Sequence, residues 1–201
     1  MIFAWTFVGV WFALALTLSV TGWFERFTAA ELFGVGSLIS ATTFLILHWR
    51  SERFRGFMRA RSLKRLTYCQ VLRFYGLLAL VKAEERVLPG LFAIPTALMD
   101  VAIACGAFCV AQRLISDKGH PKPGFRGYHL VGVLTLGTSA VLAVLTSTTW
   151  FGLVKDGVTS QPLTWFPMSL VPTFIGPFVL ITHLQALVVA FSTTPTEPAV
   201  L

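Results

Sequence analysis

The reading turns on residues 88–112, LPGLFAIPTALMDVAIACGAFCVAQ, which carry a single charged side chain, Asp100, at their middle. Wound as an α-helix at about 1.5 Å per residue, such a stretch reaches roughly 37 Å, more than the ~30 Å hydrocarbon layer of a bilayer. Apolar residues lie all round it, the pattern of a helix that meets lipid or protein on every side. The rest of the chain agrees. Of 201 residues 55% are hydrophobic and 12% charged, against about 25% charged in an ordinary soluble domain. Aromatics reach 13%, with 18 Phe and 6 Trp, which excludes a disordered or fibrous chain. The composition is that of an all-α, polytopic membrane helix bundle forming one integral membrane domain over residues 1–201.

Working outward, five more apolar stretches approach the roughly 20 residues a spanning helix needs: 2–23, 30–49, 66–81, 128–151 and 163–191. Six transmembrane helices are therefore expected, because in lipid a segment must satisfy its own backbone hydrogen bonds. The stretch 66–81 is short and contains Arg73, so it must extend into its charged flanks or be packed inside the bundle. The first stretch follows Met1 with no basic leader and no clear small-residue cleavage site, and is read as a retained span. Connections are brief and leave no room for a separate soluble domain.

The net charge of +7 is distributed unevenly. Of 16 Lys and Arg, seven lie in the basic loop 50–65 and four in 113–126, whereas Arg26, Lys82, Arg86 and Lys155 are the four on the opposite side. Short loops rich in Lys and Arg stay in the cytoplasm, so both termini are expected there, and the short-looped build suggests a bacterial inner (plasma) membrane. Glu25, Glu31, Glu84, Glu85 and Asp156 fall on the outer side. Trp23, Trp49, Trp150 and Trp165 sit at segment ends, as interfacial anchors do. In the basic loop, Phe54, Phe57 and Met58 recur at helical spacing among Arg53, Arg55 and Arg59, which would let a short helix lie against anionic lipid headgroups. Nucleic acid is not an expected partner, since no stacking platform or groove-reading element accompanies the charge.

Arg73 and Asp100 are the most informative residues. Each ionised group near a bilayer centre costs about 2.5–3.5 kcal/mol on insertion scales. Arg73 lies roughly twelve residues before the turn at 84–88 and Asp100 roughly fourteen after it, which at ~1.5 Å per residue puts them within about one helical turn of the same depth. Ala93, Ala97, Asp100, Ala104, Ala107 and Ala111 form one small-residue stripe that admits a close neighbour. On the partner segment Gln70 precedes Arg73 by one turn and Gly76 follows it. A buried cluster of Gln70, Arg73 and Asp100 is expected, either a ligand site or a lock on the hairpin. Gly132, Thr135 and Ser139, and Gly34, Ser37 and Ala41, are expected packing seams.

In the last stretch, Pro167, Pro172 and Pro177 each remove a backbone donor and disturb the carbonyl four residues earlier, so kinks are expected there, with carbonyls in need of partners. His183 follows with Thr182 and Gln185. His48 and His129 are read as interfacial. One or two of these histidines could serve haem or quinone, but there is no His-x-x-x-His, no Cys-x-x-Cys-His and no carboxylate pair for a metal centre. Cys69, Cys105 and Cys109 are read as small buried apolar side chains. No nucleophile and base stand at recognisable spacing. The leading expectation is a non-catalytic protein that binds or passes a small ligand at Gln70, Arg73, Asp100 and His183, with Arg73 holding an anionic or carbonyl group and Asp100 neutralising it when empty. The alternatives are an accessory subunit contacting other membrane subunits, and a haem- or quinone-dependent redox protein.

Overall fold

The computed structural model describes residues 2–117, 119–150, 152–153 and 157–192. It is 79% helical, without strands among those residues. In chain order the helices are α1 (Ile2–Val20), α2 (Ala29–Arg50), α3 (Glu52–Arg59), α4 (Leu63–Tyr68), α5 (Leu77–Glu84), α6 (Gly90–Arg113), α7 (Phe125–Leu145) and α8 (Gly176–Ser192). Short 3-10 turns occupy Trp23–Arg26 and Gln161–Thr164, a longer 3-10 segment joins α4 to α5, and a π-helical turn, Val171–Ile175, precedes α8. Among the described residues four helices are long and apolar enough to cross a membrane: α2, α6, α7 and the π-turn with α8. The expected spans 30–49 and 88–112 match α2 and α6 to within two residues. The helix expected over 128–151 ends at Leu145, and its expected terminus at Phe151, like Lys155 and Asp156, lies outside the described residues.

The α6 helix is the bundle's axis, packed against α4, α5, α7 and the long 3-10 segment. Its alanine stripe explains this: Ala93, Ala97, Ala104, Ala107 and Ala111 are all fully buried, and side chains this small let neighbouring backbones approach. The opposite face of α6 carries Cys105 and Cys109, which are exposed, with Cys69 half-buried; all three are free thiols. This corrects the reading of the cysteines as buried. They lie on the side that the alanines do not.

The expected short span 66–81 is the middle of a helical rod over residues 63–84. Tyr68, Cys69, Gly76 and Leu77, at its two joints, all keep right-handed helical dihedrals. The rod thus both extends into its flanks and packs inside the bundle. Its centre, Cys69–Gly76, is 3-10, where residues three apart eclipse one another. Gln70, Arg73 and Gly76 therefore stack into one stripe, Thr67 of the last turn of α4 precedes it, and all four are buried.

The expected helix over 163–191 needs correction at its start. Residues 165–169 form turns, and helix begins only at the π-turn before α8. Pro167 stands in the turns, Pro172 in the π-turn and Pro177 at the head of α8; each lacks an N–H, so an α-ladder cannot be threaded through them. The carbonyl that Pro177 leaves unpaired, Thr173 O, accepts from Trp11 Nε1 of α1 at 3.1 Å. Pro167 O accepts from Tyr75 Oη at 2.7 Å. Ser19 and Ser169 pair nearby, both buried. The close approach to α2 is made by Gly36, where a Cβ would collide with Pro172 O, whereas Gly34 has nothing beside it. The seam expected at Gly34, Ser37 and Ala41 is thus centred on Gly36.

The expected headgroup helix exists as α3; Met58 and Phe54 pack against the protein, whereas Phe57 stays exposed. Met58 is buried, its carbonyl accepts from Gln185 Nε2 at 3.3 Å, and Phe54 packs edge-on against Phe44 of α2. Arg53 and Arg59 are exposed, while Arg55, part-exposed, turns back to donate to His48 O and Trp49 O at 3.0 and 2.8 Å and so caps α2. The ends of a helix hold carbonyls without partners, and a cation satisfies them well. Trp11→Phe keeps a ring at the α1 contact and deletes only the donor to Thr173 O. Unfolding titrations in detergent micelles should show a loss of about 1–3 kcal/mol, the cost of a stranded buried carbonyl; unchanged stability would mean that this bond contributes nothing.

Candidate functional site

Arg73 and Asp100 meet as the depth argument requires. Arg73 Nε donates to Asp100 Oδ1 at 2.8 Å, and Nη2 lies 2.6 Å from the same oxygen as an ion pair. Nη1 donates to Gly132 O at 3.0 Å and Nη2 also to Thr135 Oγ1 at 2.8 Å. Three of the five N–H groups of the guanidinium are thereby taken. Its side chain is 1% exposed and that of Asp100 15%. The cation expected to hold an incoming anion is thus already engaged by protein acceptors on α6 and α7. The group with an unused acceptor is Asp100, whose Oδ2 accepts nothing among the described residues while Oδ1 accepts from Nε and lies against Nη2.

Two glycines make the meeting possible. A Cβ on Gly76 would lie 2.7 Å from Asp100 Oδ2, and one on Gly132 would collide with the ring of His183. The expected seam on α7 is where the site is built: Gly132 and Ser139 are buried, and Thr135 binds Arg73. Beside the pair lies a cavity of about 40 Å³, lined by Arg73, Gly76, Thr96, Asp100 and Val179 with an apolar remainder. Thr96 Oγ1 is buried and has no partner. A buried polar atom of this kind calls for a donor or acceptor, and a space this size holds two or three waters' worth of ligand.

Gln70 and His183 belong to the neighbouring level and do not touch the ion pair directly. Gln70 Nε2 donates to Thr182 Oγ1 at 2.8 Å and to Val179 O at 3.3 Å, both on α8. His183 lies against Gly132, whose carbonyl serves Arg73. Its Nδ1 is 2.8 Å from Nδ1 of His129. This corrects the reading of His129 as interfacial: it is fully buried, because Phe125 and the glycine-started α7 carry its ring inward against α4 and α8. Thr67 Oγ1 stands 3.3 Å from His129 Nε2. Sequence reasoning missed His129 and Thr67. The signal that could have found them was a threonine three residues before Gln70, on the same stripe. His48 sits at the end of α2, stacked on Phe44. Among the described residues no group of three or more His, Cys, Asp or Glu side chains is placed to hold a metal ion.

All of these residues fall within 30–191, the part matched by the family model described as Domain of unknown function (DUF8737). The chain belongs to that family. No curated protein and no solved structure matches it. The matched part contains the ion pair, the cavity and the histidines, and excludes α1.

Because Arg73 and Asp100 are buried together, breaking the pair should cost more than removing it. Asp100→Asn leaves an uncompensated guanidinium and is expected to lose about 3–5 kcal/mol. The double variant Arg73→Met/Asp100→Asn should recover most of that loss in the same unfolding titration. If the double variant were the sum of the singles, the two charges would not be stabilising one another.

Proposed function

We propose that the chain is an integral membrane protein, of a bacterial inner membrane, that crosses six times with both termini in the cytoplasm and binds or passes a small ligand on the Asp100 side of its buried ion pair. The six crossings would be α1, α2, the rod 63–84, α6, α7 and the π-turn with α8. The asymmetry of Lys and Arg between alternate loops supports the orientation, because cationic loops resist translocation. Trp23, Trp49, Trp150 and Trp165 are all exposed, as interfacial rings would be.

The observation that carries the ligand reading is the free carboxylate oxygen beside a cavity. Among the described residues Oδ2 of Asp100 has no donor and Thr96 Oγ1 has no partner, and both residues line the same small space. Ionisable groups inside a bundle are retained at a cost that function commonly explains. With Arg73 occupied, the ligand is a hydrogen-bond donor no larger than a few heavy atoms, and the apolar lining favours a neutral or transient species over a free anion. Haem has less support, since Nε2 of His183 lies against the α7 backbone at Gly132. For the anionic lipid at Arg53 and Arg59, and for other membrane subunits, the support is the exposure of these two arginines and of the outer helix faces.

Infrared difference spectra of the protein in a lipid film test the reading. On exchange between mildly acidic and mildly alkaline buffer, or on addition of methylamine or methanol, a carboxyl band is expected that is missing in Asp100→Asn. Spectra that are identical under all perfusions would overturn the reading and leave a purely structural pair. For the topology, single cysteines placed at Ser62 and Ser116 of a chain with its own cysteines replaced should react with a membrane-impermeant thiol reagent only from the cytoplasmic side.

A further inference from the structure

The buried stripe on the rod continues well beyond the ion pair. Thr67, Gln70, Arg73 and Gly76 stand one above another, and nine residues at about 2.0 Å rise cover about 18 Å, more than half of a ~30 Å hydrocarbon layer. Each rung has a polar counterpart: Thr67 meets His129, Gln70 meets Thr182 beside His183, Arg73 meets Asp100, and Gly76 lies against the Asp100 carboxylate. The result is a polar column inside an otherwise apolar bundle.

The hydrogen bonds fix where the protons sit. Thr67 donates its hydroxyl proton to Leu63 O at 2.8 Å, so toward His129 it can only accept. His129 therefore carries its proton on Nε2 and presents a bare Nδ1. The Nδ1 contact between the rings then requires the proton on His183 Nδ1, which leaves His183 Nε2 as a bare lone pair; it is buried and has no donor. Gln70 is fixed in the same way. Thr182 Oγ1 donates to Val179 O at 2.9 Å, so the Gln70 amide must point its NH2 toward both, and its Oε1 is left without a donor. Along one stripe, Asp100 Oδ2, Gln70 Oε1 and His183 Nε2 are thus acceptors waiting for protons or donors.

We propose that this column is a proton path and that the ligand taken at Asp100 is the proton itself. The proposal rests on the reading of Asp100 as the ligand-facing group. A proton arriving at His183 Nε2 makes an imidazolium; its Nδ1 proton moves to His129 Nδ1, and His129 releases its Nε2 proton to Thr67 Oγ1. Thr67 gives up its own hydroxyl proton along its bond to Leu63 O, toward bulk water at the exposed turn of Ala60 and Ser62. One proton enters and one leaves, each ring ends with its proton on the other nitrogen, and the reverse hops or ring rotation restore the start. Arg73 cannot give up a proton. It stays a fixed cation between Asp100 on one side and His183, across Gly132, on the other, and the hand-over past it requires water to enter beside Gln70 Oε1, which accepts from no described residue. Buried chains of carboxylate and imidazole are what proton movement through a membrane interior needs.

The test uses the full chain reconstituted in phosphatidylcholine vesicles with an entrapped pH-sensitive dye, with a potassium gradient and valinomycin setting the potential. Wild type should acidify the lumen at least about tenfold faster than protein-free vesicles. His183→Gln, Asp100→Asn and Thr67→Val should each fall to background, Thr67→Ser should retain flux, and the lipid-facing control Cys105→Ser should match wild type. Because Asp100→Asn is expected to weaken the fold, the pair Thr67→Val and Thr67→Ser decides the matter in stably folded protein. Wild-type flux equal to empty vesicles, or full flux in His183→Gln or Thr67→Val, would overturn the proposal. An Asp100 infrared band without flux overturns proton passage and leaves ligand binding standing; absence of both overturns both.

Discussion

A guanidinium inside an apolar bundle dictates what its neighbours must be. Stranded alone it would cost several kcal/mol, so a carboxylate has to reach it, and carboxylate and guanidinium together need helix axes closer than ordinary apolar side chains permit. The alanine stripe of α6, Gly76 on the rod and Gly132 on α7 all follow from that requirement. Each removes bulk where the pair, or the carbonyl that supports it, must fit. The ion pair is thus less a source of net stability than a condition on packing: buried pairs about break even against apolar replacements, while half a pair is expensive.

The 3-10 winding at the centre of the rod has a second consequence. In an α-helix, residues three apart drift by about 60° around the axis, so Thr67 and Gly76 would face different neighbours. In the 3-10 segment Gln70, Arg73 and Gly76 eclipse, with Thr67 one step before them on α4, and one narrow stripe serves α6, α7 and α8 in turn. Polar groups that would be scattered over three helix faces are gathered into a column. The same winding brings Gln70 to α8 at the level of Thr182, and Arg73 to both α6 and α7.

Much of this was legible in the residues. The helical class, the α2 and α6 spans and the meeting of Arg73 with Asp100 follow from apolar run length and from equal counts on either side of the 84–88 turn. The inward face of α6 follows from its alanines. What could not be read was anything set by a choice between near-equal helical forms or by contacts distant in sequence. Period 3.6 is the default for an apolar run, so the 3-10 stripe, and with it Thr67, was hidden. His129, near the start of α7, sits where interfacial side chains commonly lie, and only the packing of α4 and α8 around it shows that it is enclosed. Arg55 reads as one more basic residue until the end of α2 presents carbonyls for it to cap.

The proline-rich entry to α8 shows why the column, and not the broken helix, is the better place to look for function. A discontinuous helix suggests a ligand site when its released carbonyls await partners. Here Thr173 O is taken by Trp11 and Pro167 O by Tyr75, so the irregular backbone is closed by the protein's own donors. Of the buried side-chain atoms without partners among the described residues, those of Thr96, Gln70 and His183 gather against α6 and the 3-10 stripe, while the others, at His48, Arg61 and Gln161, are scattered. The closure also binds α1 to the rest: the family match begins at residue 30, yet the indole that satisfies Thr173 O comes from residue 11. Without α1 that carbonyl would face an apolar surround with no donor, a cost of about 1–3 kcal/mol, so in this chain the helix outside the matched part completes the hydrogen bonding of the part inside it.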